Sequence, residues 1–189
     1  LQRAAVTGPV ANGGRILRPH LVEKIVAPDG IETDGPSGLG EALPVDPSIL
    51  SLVRQGMAGA VSYGTAQSAW SFLPTEIPVA GKTGTAEFCD PDPSNPDLPC
   101  RRTREGHLLT HAWFVAFAPL ENPEVALAVF VDGSGLDEVI QGSEVAAPIA
   151  GQVLRAYYDL PEPTPTPGPV TPSPAANQDG RLVAPGNLP

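Results

Sequence analysis

From Thr110 to Ala118 the sequence reads Thr-His-Ala-Trp-Phe-Val-Ala-Phe-Ala, and it is apolar on both of the faces that a period of two creates. Trp113, Val115 and Phe117 point one way, Phe114, Ala116 and Ala118 the other. A strand with two apolar faces belongs inside a sheet that is covered on both sides. Val125 to Val131 is a second run of the same kind, and Pro119-Leu120-Glu121-Asn122-Pro123 between them has the composition of a hairpin connection. A covered hairpin needs helices against its faces.

Two segments supply them. Asp46 reads as an N-cap with Pro47 at the first helical position, and Ile49, Leu52, Val53, Gly56, Met57, Ala60 and Val61 fall on one face of a helix over 46–62, stopped by Gly64. A last helix over 146–159 opens at Ala146-Ala147-Pro148, with Ile149, Val153, Ala156, Tyr157 and Leu160 on its apolar face. The first 14 residues are the end of a helix, closing on Asn12 and Gly13 as left-handed cap residues, with a kink or break expected at Pro9. Arg18-Pro19-His20 starts an extended piece with Leu21, Val22, Ile25 and Val26 as its apolar positions, ending at the turn Pro28-Asp29-Gly30. Residues 31–44 are turn-rich and acidic, a surface loop.

A third strand, over 78–87, contains Val-Ala-Gly-Lys-Thr-Gly-Thr-Ala-Glu from Val79 to Glu87. Lys82 is one of two lysines in a chain with nine arginines. Gly81 and Gly84 weaken a strand, so their usual meaning is the close approach of another backbone or a ligand. An extended ligand along such an edge takes main-chain hydrogen bonds, while Lys82, Thr83 and Thr85 offer an ammonium and two hydroxyls to a carboxylate. The expected fold is α+β, an antiparallel sheet of three consecutive strands flanked by helices.

The net charge of −10 argues against a nucleic-acid partner, which needs clustered Lys and Arg. The one basic cluster, Arg101, Arg102 and Arg104, reads as a solvated loop face. No apolar run approaches the roughly 20 residues of a membrane span. The chain begins at Leu1 without an initiator methionine, so any targeting or anchoring segment is expected upstream. Cys89 and Cys100 enclose ten residues that include Pro91, Pro93, Pro96 and Pro99. Such a pair reads as a small disulfide in an oxidising compartment, with two free thiols as the alternative. A zinc site would add His107 and His111, although the gap between the cysteines is far from a finger or ribbon spacing. Past Pro161 the chain changes character: 7 of the 14 residues from Pro161 to Pro174 are proline, and the reading is a Pro/Thr-rich disordered tail over 161–189 after a domain of residues 1–160.

Lys82-Thr83-Gly84 followed by Thr85 resembles the third signature of the penicillin-binding proteins and serine β-lactamases, enzymes that acylate a serine with a D-alanyl peptide or a β-lactam. Three further stretches carry the resemblance toward class B high-molecular-weight penicillin-binding proteins of the penicillin-binding protein 2 type. Leu1-Gln2 runs into Ala11-Asn12-Gly13-Gly14 and then Arg18-Pro19-His20-Leu21-Val22; Gly56-Met57 leads to Gly64-Thr65-Ala66; and His111-Ala112-Trp113-Phe114-Val115 leads to Ala118-Pro119 and Asn122-Pro123-Glu124. His111 is then a strand-end residue, with a general base as the sharper alternative. The resemblance covers residues 1 to about 160 and implies the C-terminal half of the penicillin-binding-protein/serine β-lactamase-like transpeptidase fold. The rest of the machinery is absent from the sequence. None of the ten serines has lysine three residues later or asparagine two residues later. Ser51 with Arg54 is the nearest imitation, and an arginine cannot act as the base.

The resemblance implies a peptidoglycan D,D-transpeptidase, here as an inactive fragment, acting on stem peptides ending in D-Ala-D-Ala and bound by β-lactams. Lys82 and Thr85 would serve catalysis, and Lys82, Thr83, Gly84 and Thr85 substrate binding. The Thr85 backbone N–H would be one of two oxyanion-hole donors. No metal or organic cofactor is implied. The parent would be extracytoplasmic, membrane-anchored and associated with a cell-wall synthesis complex. A β-lactam-sensing or penicillin-recognising binding module would share the Lys-Thr-Gly strand but should lack the run from Ala11 to Val22. A serine β-lactamase needs a hydrolytic water and usually ends without a Thr-Pro tail.

Overall fold

The computed structural model describes residues 1–35, 38–67, 69, 73–91, 94 and 100–161. The Pro/Thr-rich tail, apart from Pro161, lies outside the described residues, as does most of the loop between the cysteines. Three helices, α1 (Gln2–Ala11), α2 (Pro47–Ser62) and α3 (Ala147–Tyr157), surround seven strands in three sheets. The strands are β1 (Arg15–Leu17), β2 (Lys24–Val26), β3 (Glu32–Asp34), β4 (Leu39–Ala42), β5 (Ala80–Phe88), β6 (Leu109–Ala118) and β7 (Val125–Val131).

The main sheet has the order β5-β6-β7, antiparallel throughout. Val115 faces Lys82 on one side and Ala128 on the other, and Val129 faces Phe114. One face of β6 is fully covered; on the other Phe117 is buried while Trp113 and Val115 are half-buried beside open grooves. Ala112, Phe114 and Ala116 lie in a core with Val61, Leu73, Ile140 and Leu154, while Phe117 packs with Ala11 and Ala80 beneath Met57 and Leu120. Thr110 ties the start of β6 to the segment after β7: its hydroxyl donates to Ile140 O at 2.8 Å and accepts from Ile140 N–H at 2.9 Å. This pair satisfies a buried polar group that would otherwise be costly.

Asp46 caps α2, its carboxylate accepting from the Ser48 N–H at 2.8 Å and the Ser48 hydroxyl at 2.6 Å. These bonds, the hydroxyl first, hold the Asp46 carboxyl below the usual carboxylate range. The apolar face expected for α2 is buried only toward its C-terminal end, where Val61 is buried and Met57 and Ala60 are half-buried. Leu50, Gly59 and Val61 are buried, whereas Ile49 is 52% and Leu52 66% exposed. The last helix departs from its expected face. A single π-helical turn, Gly142–Ala146, precedes it, and Ala147, Ala150, Gly151 and Leu154 are buried while Ile149, Val153 and Tyr157 face outward. In this last helix the face with the smaller residues seats more closely on the sheet.

Three other expectations are revised locally: the break at Pro9, the left-handed Asn12 and the loop over 31–44. α1 runs unbroken to Ala11 with Pro9 inside it. Pro9 stands one turn from the end, where Asn12 N–H already bonds Gly8 O and Gly14 N–H bonds Pro9 O, so only the bond toward Ala5 is lost. Asn12 is not left-handed, with φ −95°; the positive φ values belong to Gly13 and Gly14, and the Asn12 side chain instead clasps the backbone of Arg15. The loop over 31–44 contains strands: β3 pairs with β2 across the turn at Gly30, and β4 pairs with β1. Glu-Thr-Asp in β3 has no apolar alternation to betray it; backbone pairing and the Lys24–Glu32 ion pair at 2.8 Å hold this exposed ribbon.

Candidate active site on the edge strand

β5 is the edge of the main sheet and has one strand partner, β6, among the described residues. Its rim leaves main-chain donors and acceptors open to an added extended segment. Strand alternation places Lys82 and Gly84 beside Val115 and Trp113, their register partners, and Thr83 and Thr85 on the opposite side. A groove of about 250 Å³ gathers residues 82–86 with Arg3, Trp113 and Val115. All four expected site residues therefore border one space.

Lys82 is exposed and makes no ion pair among the described residues; its ammonium donates to Thr83 O at 2.9 Å. The Thr83 and Thr65 hydroxyls are hydrogen-bonded at 2.8 Å, which orients the Thr83 oxygen toward a fixed partner. Thr85 is exposed on the rim. The two glycines are needed for different reasons. A Cβ on Gly81 would stand 2.4 Å from the Phe114 ring and 3.0 Å from Val115 O, so here the close neighbour is the core itself. At Gly84 the nearest atom on the Trp113 side is its Cβ, 3.2 Å away.

Arg3, Thr65 and Trp113 also belong to this neighbourhood; Thr65 and Trp113 lie in stretches that carry the family resemblance, but no site role was expected of any of the three. The Arg3 guanidinium sits over the Trp113 ring, 5.3 Å from its centroid, a cation–π arrangement that holds a second positive charge at the groove. Trp113 could have been found by aligning β6 against Gly84. Arg3 and Thr65 reach the strand from other elements, and no spacing within the sequence encodes that.

His111 stands apart from the groove. Its ring stacks on Phe88 with centroids 3.8 Å apart, and its Nδ1 lies 3.2 Å from both the Gly133 N–H and Asp132 Oδ1. The Asp132 carboxyl is held low chiefly by the Ser134 hydroxyl, then by the Ser134 backbone N–H, with His111 a smaller contributor. This is the packing of a strand-end residue. Cys89 and Cys100 are joined in a disulfide, Cα atoms 4.8 Å apart, just beyond β5, so neither sulfur is free for the zinc alternative. Arg101 pairs with Asp90 at 3.8 Å and Arg102 donates to Gly106 O, which ties two of the basic cluster to their own loop.

Residues 1–155 match the penicillin binding protein transpeptidase domain. The chain belongs to the penicillin-binding protein transpeptidase family. It is 33% identical over 157 residues to the peptidoglycan D,D-transpeptidase PbpA of Mycobacterium tuberculosis, covering 82% of this chain and 28% of PbpA. With the peptidoglycan D,D-transpeptidase MrdA of Haemophilus influenzae the identity is 27% over 159 residues, covering 84% of this chain and 23% of MrdA. The structure of penicillin-binding protein A from M. tuberculosis in an imipenem acyl-enzyme complex superimposes with a TM-score of 0.58 at 30% identity, over 81% of this chain and 30% of that one. This transpeptidase segment thus spans less than a third of the length of the relatives it matches. The α+β architecture with its antiparallel sheet is that of the penicillin-binding-protein fold.

Proposed function

We propose that this chain is the C-terminal, substrate-recognising part of a peptidoglycan D,D-transpeptidase domain. The observation that carries the proposal is the convergence of Lys82, Thr83, Gly84 and Thr85 on one groove at a sheet edge. A stem peptide ending in D-Ala-D-Ala lies antiparallel along β5, and its terminal carboxylate meets the Thr83 and Thr85 hydroxyls. The serine nucleophile is contributed by a part of the polypeptide outside this chain. Its oxygen bonds to the penultimate D-alanine carbonyl carbon, the C–N bond breaks, and the last D-alanine leaves carrying the proton that the serine gave up. An amine of a neighbouring strand then attacks the ester and restores the hydroxyl. Lys82 places positive charge beside the nucleophile, and the Thr85 N–H supplies one of the two donors to the oxyanion. β-Lactams take the same path and stop at the acyl-enzyme.

The disulfide agrees with a site of action outside the cytoplasm, where such bonds persist. We place the parent protein at the cell membrane in a cell-wall synthesis complex; no helix among the described residues is long and apolar enough to cross a membrane. The test is covalent labelling. Fluorescent penicillin is expected to form a hydroxylamine-sensitive adduct with the longer protein that contains this chain and none with residues 1–189 alone. An adduct on the isolated chain, or none on the longer protein, would contradict the proposal.

A further inference from the structure

The π-helical turn Gly142–Ala146 lies against the core side of β5, opposite the substrate rim. Its first residue, Gly142, is buried, and the space where a side chain would begin is already occupied by backbone. A Cβ there would stand 2.2 Å from Trp113 O, 2.7 Å from Gly84 O and 2.9 Å from Gly84 N. Real Cβ atoms do not approach backbone this closely, so any side chain at 142 must displace β5, β6 or the turn. The chemical consequence follows from which atoms are touched. Gly84 O and the Thr85 N–H belong to one peptide plane, held rigid by the partial double bond between them. Pushing on Gly84 O therefore rotates the Thr85 N–H.

We propose that Gly142 is a positioning residue for the oxyanion donor. The bare backbone of the turn forms the floor on which the Gly84–Thr85 peptide rests, and it fixes the direction of the Thr85 N–H without touching substrate. Two surroundings make that floor stiff. The turn continues directly into α3, whose Ala147, Ala150 and Leu154 are anchored in the core, and the segment just before it is pinned by the paired Thr110–Ile140 hydrogen bonds. Gly84 is close-packed on its other side as well, with Trp113 Cβ 3.2 Å from the place its own Cβ would take. The tightness is thus built from both sides of the sheet.

The inference rests on the reading of Thr85 as oxyanion donor, and its test separates the two. In the longer protein, acylation by a chromogenic cephalosporin is followed for Gly142→Ala, with the folded, reactive fraction counted from the total adduct formed. The acylation rate constant of that fraction is expected to fall about tenfold to a hundredfold, the scale of a misdirected donor, while the pre-covalent dissociation constant changes less than about threefold. Glu144→Ala, on the exposed side of the same turn, should leave both unchanged. Leu50→Ala, a core truncation in α2 away from the turn, is the comparator for mere instability, and it should lower the reactive fraction without lowering the rate constant of what remains. If Gly142→Ala fails to fold, Val145→Ala decides: loosening the turn should slow acylation and speed hydrogen exchange at the Thr85 amide. A reactive Gly142→Ala fraction that acylates at the parental rate, or Val145→Ala without either change after a failed Gly142→Ala, overturns the inference. Lys82→Ala in the same assay reports on the underlying reading: if it slows acylation and Gly142→Ala does not, only the positioning role is lost.

Discussion

Thr85 separates two contributions that a single residue makes to the proposed site. Its hydroxyl is offered to the substrate carboxylate and its backbone N–H to the oxyanion, so Thr85→Val removes the first and keeps the second. A hydrogen bond to a charged group contributes about 1.5–3 kcal/mol, so the substitution should weaken pre-covalent binding by roughly tenfold or more and leave the acylation rate constant nearly unchanged. Stopped-flow acylation at varied β-lactam concentration separates the two quantities. A loss confined to the rate constant would assign the hydroxyl elsewhere. Lys82 and Thr85 stood out in the sequence because Gly81 and Gly84 beside them are poor strand material and Lys82 is one of only two lysines, which asks for another reason. Thr65, Arg3 and Gly142 were not legible. Their roles come from distances to residues 18, 110 and 58 positions away in the chain, and no local pattern carries a distance of that kind.

Among the elements, β6 and β7 were legible almost to the residue because long apolar runs with strand periodicity mark a sheet interior, although Trp113 and Val115 of β6 are half-buried and Phe130 of β7 is 47% exposed. The helices were legible as helices but only in part as faces. In α3 the face that seats in the core is the one with the smaller residues, Ala147, Ala150 and Gly151, whereas periodicity ranks stripes by bulk. β3 and β4 were missed because exposed two-stranded ribbons are held by backbone pairing rather than by any apolar side-chain pattern. The hairpin beyond β5 carries a prediction of its own. Its disulfide closes a loop of ten enclosed residues, and a cross-link of that span stabilises by about 3 kcal/mol through the lost freedom of the unfolded chain. Reduction, or Cys100→Ser, should lower the melting temperature of the parent protein by several degrees in calorimetry. An unchanged melting temperature would mean that the loop unfolds independently of the sheet.

On the scale of the whole molecule, Val6 and Val10 of α1, Val53 and Met57 of α2, and Val115 of β6 line a groove of about 480 Å³ that ends on Lys82. Sequence periodicity marked Val53, Met57 and Val115 as packing positions and left Val6 and Val10 unread. The lysine therefore stands where an open recognition strand meets an apolar surface, which is the place the proposed chemistry needs its positive charge. The direct test is the second-order acylation rate constant of the parent protein with labelled penicillin, measured for the wild type and Lys82→Ala at matched folded fractions. Loss of a preorganised charge beside the developing oxyanion should slow acylation a hundredfold to a thousandfold, about 2.7–4 kcal/mol. Acylation of Lys82→Ala at the wild-type rate would make the strand a structural element only and contradict the account.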